Sequence, residues 1–85
     1  MKVIVPTPLR SYTGRREVEG EGATLDALLR DLDRQYPGLR FRVVDEQERL
    51  RPHVRFFVNG KAVLDLSHPL RAGDALVIVP ALSGG

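Results

Sequence analysis

The chain has no cysteine and no tryptophan among its 85 residues. Without thiols it forms no disulfide, holds no thiolate-bound metal and offers no cysteine nucleophile. Histidine is nearly as scarce. His53 and His68 have neither metal-ligand spacing nor an Asp and Ser set around them, so both read as ordinary surface residues. The glycines are dispersed and form no phosphate loop. No apolar run approaches the ~20 residues of a membrane-spanning helix. The stretch Met1-Lys-Val-Ile-Val5 runs into Pro6 without the apolar core of a secretion signal. The expectation is a cytoplasmic protein with no metal and no membrane partner.

What remains is one small domain with room for a single core and no enclosed pocket. The 13 Lys+Arg residues stand against 11 Asp+Glu, a net charge of +2. Only Lys2 and Lys61 are lysines, and that wealth of arginine raises the question of nucleic acid. The arginines are interleaved with carboxylates, as in Arg15-Arg-Glu17, and the aromatics form no stacking set. No nucleic-acid partner is expected. Acidic pairs such as Glu17/Glu19 and Asp31/Asp33 read as solvated faces rather than as general acids or bases.

The alternation of Val3 and Val5 predicts a first strand ending at Pro6 or Pro8, with Pro6-Thr-Pro8 extended. After Leu9–Thr13, Gly14 supplies a turn. Arg16–Glu19 then returns as the partner strand, which Gly20 and Gly22 end. The clearest element is a helix. Thr24 is its N-cap, Leu25, Leu28, Leu29, Leu32 and Tyr36 form one apolar stripe, and Pro37-Gly38 stops it. In Leu39–Pro52, Phe41, Val43 and Val44 act as anchors and Asp45–Arg51 as an exposed loop. Arg55–Val58 and Lys61–Leu64 are strands joined by Asn59-Gly60, a strong hairpin signal. Two turns, Ser67–Leu70 and Arg71–Asp74, lead to the last strand, Ala75–Val79.

Two strands, a crossing helix and further strands predict an α+β fold of the β-grasp kind. It would be a mixed sheet of about four to five strands on one main helix, with the first and last strands parallel at its centre. One helix covers one face. With Leu76, Ile78, Val3, Val5, Phe56 and Val58 assigned inward, Phe57, Val77 and Val79 turn outward as an apolar patch. Residues 1–80 make the domain, and residues 81–85 a flexible tail ending in Gly84-Gly85.

A diglycine contributes nothing to folding, because glycine loses the most backbone freedom and buries no side chain. It makes a thin arm that threads a narrow active site behind its carboxylate. ATP would activate that carboxylate as an acyl-adenylate, and a sulfur nucleophile would displace the nucleotide to leave a thiocarboxylate. Gly85 is the expected reacting group and Gly84 its steric clearance. Pro80 helps keep the sheet from extending into the tail.

The segments Phe57-Val58-Asn59-Gly60, Ser67-His-Pro-Leu70-Arg-Ala-Gly-Asp74 and Val79-Pro80-Ala-Leu-Ser-Gly-Gly85 resemble a ubiquitin-like superfamily of sulfur carriers. It comprises the molybdopterin-synthase small subunits and the thiazole-synthesis carriers. Pro6-Thr-Pro-Leu-Arg10 followed by Tyr12-Thr-Gly14 most resembles its cysteine-biosynthesis branch. The resemblance implies a carrier rather than an enzyme, with no cofactor of its own. It implies as partners a ubiquitin-activating-like adenylating enzyme, a pyridoxal-phosphate (PLP)-dependent cysteine synthase and a zinc metalloprotease that releases cysteine. Phe57, Val77, Val79, Pro80 and Leu82 would be the partner-binding residues. The alternatives are delivery of sulfur within a molybdopterin synthase, through its large subunit, and a ubiquitin-like modifier joined to lysines through Gly85.

Overall fold

The computed structural model describes residues 1–80. Five strands form one sheet: β1 (Lys2–Ile4), β2 (Glu17–Glu19), β3 (Val54–Val58), β4 (Lys61–Val63) and β5 (Ala75–Pro80), in the order β2-β1-β5-β3-β4. β1 and β5 pair in parallel at the centre, with Val3 opposite Leu76, and every other pairing is antiparallel. Helix α2 (Leu25–Gln35) packs across one face. The expected α+β architecture is therefore present, with five strands.

α2 forms for the reasons its sequence suggests. The Thr24 hydroxyl accepts the Ala27 N–H at 3.2 Å, satisfying one of the unpaired donors of the first turn. Leu25, Leu28, Leu29 and Leu32 are fully buried against Val3, Val5, Phe56, Leu76 and Ile78. Tyr36 packs at the edge of that core.

Two short helices were not expected. Pro6 is extended, but Thr7–Leu9 coils into a 3₁₀ turn and Arg10–Thr13 continues it as helix α1, which buries Leu9 and Thr13. Proline is well suited to a first helical turn, where its missing N–H has no partner to lose. Gly14, at φ +72°, closes α1. Leu39–Val43 is helix α3, which buries Leu39 and Val43 and leaves Phe41 55% exposed. Val44 is buried as the anchor reading requires, whereas Phe41 is not an anchor. Asp33 starts α3: one carboxylate oxygen accepts N–H bonds from Gly38 at 3.1 Å and Arg40 at 3.2 Å. That carboxylate is a cap rather than part of a solvated face.

Gly20 and Gly22 differ from the expectation in their reason. Neither needs positive φ. A Cβ on Gly20 would meet Leu28 Cδ1 at 2.6 Å, and one on Gly22 would strike the backbone nitrogen of Leu28. They are glycine so that the segment after β2 can lie directly on α2. Among the strands, β3 begins one residue earlier than predicted, β4 ends one earlier and leaves Leu64 82% exposed, and β5 takes in Pro80.

Candidate functional site: the open sheet face and the root of the tail

Alternation in β5 divides its side chains cleanly. Leu76 and Ile78 are buried beneath α2, while Val77 and Val79 are half-buried on the opposite face. Register extends that outer row across the sheet. Val77 lies beside Ile4 of β1 and opposite Phe57 of β3, and Phe57 faces Ala62 of β4. Phe57, Val77 and Val79 thus share the face that no helix covers among the described residues. Ile4 completes the row and was missed, although its parity between the inward Val3 and Val5 requires it. Arg55 pairs in register with Val79, near the end of β5.

Ile4, Pro6, Val77, Val79 and Pro80 line a groove of about 350 Å³ where β5 ends. Pro80 is the last residue of β5 and sits opposite Val54. It belongs to the strand rather than standing after it. Leu82, Gly84 and Gly85 lie outside the described residues.

The opposite end of β5 is pinned in place. The Asn59 side chain donates to Asp74 Oδ1 at 2.8 Å and accepts the Ala75 N–H at 3.0 Å. Asp74 also accepts the Arg71 N–H at 2.8 Å. These bonds, the Arg71 backbone N–H foremost, hold the Asp74 carboxyl below the usual carboxylate range. The Asn-Gly turn and the Gly-Asp turn therefore act together, fixing where β5 enters the sheet.

The remaining charged clusters have structural work. Arg40, whose side chain is 15% exposed, donates to Asp26 at 2.7 Å and Glu48 at 3.2 Å. Arg30 bridges the same two carboxylates at 2.9 and 3.0 Å. Burial disfavours the Asp26 anion, but the two guanidiniums outweigh it and its carboxyl titrates below the usual range. Asp31 pairs with Arg34 and accepts the Glu21 N–H. Asp45 closes its loop by accepting N–H bonds from Gln47 and Arg49. His53 is exposed and His68 half-buried; the His68 carbonyl accepts the Leu25 N–H. Among the described residues no group of three or more His, Cys, Asp or Glu side chains is arranged to hold a metal ion, and no helix is long and apolar enough to cross a membrane.

The described residues thus present one apolar sheet face, centred on a strand that ends five residues before Gly85. The family model that matches residues 3–85 is that of the ThiS family. The chain belongs to the ThiS family. It is 35% identical to the sulfur carrier protein CysO of Mycobacterium tuberculosis, over 98% of this chain and 96% of that one. It is 34% identical to small archaeal modifier protein 3 of Haloferax volcanii, over 91% and 96%. Among solved structures, the Amycolatopsis orientalis BexX/CysO complex superposes with a TM-score of 0.90 at 35% identity, covering 99% and 98% of the two chains. SAMP1 of Haloferax volcanii gives 0.79 at 32% identity, covering 100% and 98%. The ubiquitin-like β-grasp assignment thus rests on close structural likeness as well as on topology.

Proposed function

We propose that this ThiS-family chain is a sulfur carrier whose working group is the carboxylate of Gly85. The observation that carries the reading is the apolar row Ile4–Val77–Phe57, which crosses β1, β5 and β3 and is centred on the strand that ends at Pro80, five residues before Gly85. A partner docked on that face has the tail beside its active site. Residues 81–85 are the arm, Gly84 the clearance, and Phe57, Val77, Val79, Pro80 and Leu82 the contacts.

The chemistry follows from what a carboxylate is. It is a stable anion and a poor electrophile, so a ubiquitin-activating-like enzyme joins it to the α-phosphate of ATP and releases pyrophosphate. A sulfur nucleophile then attacks the acyl carbon and AMP leaves, which gives the thiocarboxylate. Similarity to proteins named CysO supports cysteine biosynthesis as the destination. There the acceptor is a PLP-dependent cysteine synthase, and a zinc metalloprotease frees the product. ATP and PLP belong to the partners, and the work takes place in the cytoplasm. Similarity to small archaeal modifier proteins supports a second reading, in which the activated Gly85 forms amide bonds to lysines.

Intact mass spectrometry after incubation with ATP, sulfide and the activating enzyme tests the first reading. Exchange of one oxygen for sulfur at Gly85 is expected, and loss of that exchange on deleting Gly85. Isopeptide adducts without a thiocarboxylate favour the modifier.

A further inference from the structure

We infer that the root of the tail carries a cationic collar that selects partners with an acidic rim around the cleft that takes the tail. This rests on the carrier reading and adds the chemistry of the receiving surface.

Three guanidiniums stand around the end of β5. Arg10 and Arg16 line the groove floored by Val77, Val79 and Pro80. Arg16 is held there by its backbone, since its carbonyl accepts the Val5 N–H at 2.8 Å. Arg55 stands on the other side of β5, opposite Val79. Its Nη1 is anchored to the Pro52 and Val54 carbonyls at 2.8 and 3.1 Å. Arg10 leans on the Val5 carbonyl at 3.4 Å. Arg10 of α1 and Arg16, just before β2, border the groove, and Arg55 of β3 flanks the same end of β5 from the other side.

Among the described residues none of the three forms an ion pair: no carboxylate comes within 4.0 Å of any of them. Most carboxylates are engaged with other groups: Glu17, opposite Ile4, with Lys2, Glu19 with the N-terminal ammonium, Asp26 and Glu48 with Arg30 and Arg40, Asp31 with Arg34, and Asp33, Asp45, Asp65 and Asp74 with backbone N–H groups. A net charge of only +2 therefore hides a local excess at the tail exit. Guanidiniums fixed around an apolar floor match carboxylates around an apolar slot, and such complementarity acts mainly on the rate of encounter.

The test is association kinetics with the activating enzyme of the same organism across a salt series. Arg16→Glu/Arg55→Glu is compared with Arg34→Glu/Arg71→Glu, which makes the same change in net charge away from the groove. The collar predicts association slowed about tenfold at low salt for the first pair, shrinking to less than about twofold at 0.5 M, with dissociation little changed. The control pair should stay within about twofold of the unaltered protein. Arg16→Gln/Arg55→Gln should fall between, and melting curves verify that every variant is folded. Equal slowing by both reversal pairs, or by neither, overturns the collar while the thiocarboxylate still forms on the unaltered chain. Selective loss of binding to a single-stranded oligonucleotide, with enzyme association intact, overturns it in favour of nucleic acid. Failure of the unaltered chain to form a thiocarboxylate removes the carrier reading itself, and the collar with it.

Discussion

Asn59, in the turn that joins β3 to β4, donates its side-chain N–H to Asp74, in the turn before β5, at 2.8 Å. Asn59 sits at φ +51°, a left-handed conformation that asparagine tolerates better than most residues. One residue thus supplies the turn geometry and the clamp on β5.

Asn59→Ala loses both the clamp and the conformational tolerance, whereas Asn59→Gly loses only the clamp. Chemical denaturation should show the alanine variant destabilised by about 1–3 kcal/mol and the glycine variant by less. Equal losses would mean that backbone strain contributes nothing there.

The close approach at Gly22 predicts a second effect. Gly22→Ala drives a methyl group into the backbone of Leu28 and should cost about 3 kcal/mol or more. Gly14→Ala meets no atom within 4 Å and should cost only the ~1 kcal/mol of a left-handed alanine. If the two cost the same, the segment after β2 is free to move off α2.

The elements legible in the sequence are those whose information is local. The leucine stripe of α2, its Thr24 cap and the Asn59-Gly60 turn are each written within a few residues. The alternation of β5 assigned Leu76 and Ile78 to the core and Val77 to the open face. What escaped depends on contacts between elements in the folded chain. Leu39-Arg-Phe-Arg-Val43 alternates like a strand, yet it coils because Gly38 and the Asp33 carboxylate cap it and Leu39 and Val43 meet the core together. The arginines look scattered along the chain, and only the fold brings Arg10, Arg16 and Arg55 around one strand end. Gly20 and Gly22 resemble turn residues because a close approach to a helix leaves no local mark.

On the open face, Phe57→Asp or Val79→Asp should weaken binding to the activating enzyme at least about tenfold. The stability cost should be about 1 kcal/mol, because both side chains are only half-buried. Leu29→Ala, in the core, should cost roughly 2–5 kcal/mol instead. Calorimetric titration and denaturant melts separate the two classes. Unchanged affinity in the face variants would remove the docking role of this surface.

Stability should also fall in acid. Asp26, Asp31, Asp45, Asp65 and Asp74 all titrate below the usual carboxylate range in the folded chain. Between the folded and unfolded values the unfolded chain binds more protons, so stability rises with pH through that window. It is fully present above the unfolded value of about 4 and is lost as pH drops through the folded values. Melting temperature should therefore hold steady down to about pH 4 and decline below it. Asp74→Asn should flatten part of that decline, and an unchanged acid limb would show that its backbone bonds do not persist in solution.

The strand that leads to the tail is also the middle of the sheet, with β1 on one side and β3 on the other. A chain broken off before Ala75 would lack Leu76 and Ile78 and, among the described residues, the only element joining the two halves of the sheet. Such a fragment is expected not to fold, since β1–β2 and β3–β4 would each be left as a separate two-stranded pair. Folding is thus coupled to chain length: the sheet closes only once the chain reaches β5, whose last residue, Pro80, stands five residues before Gly85.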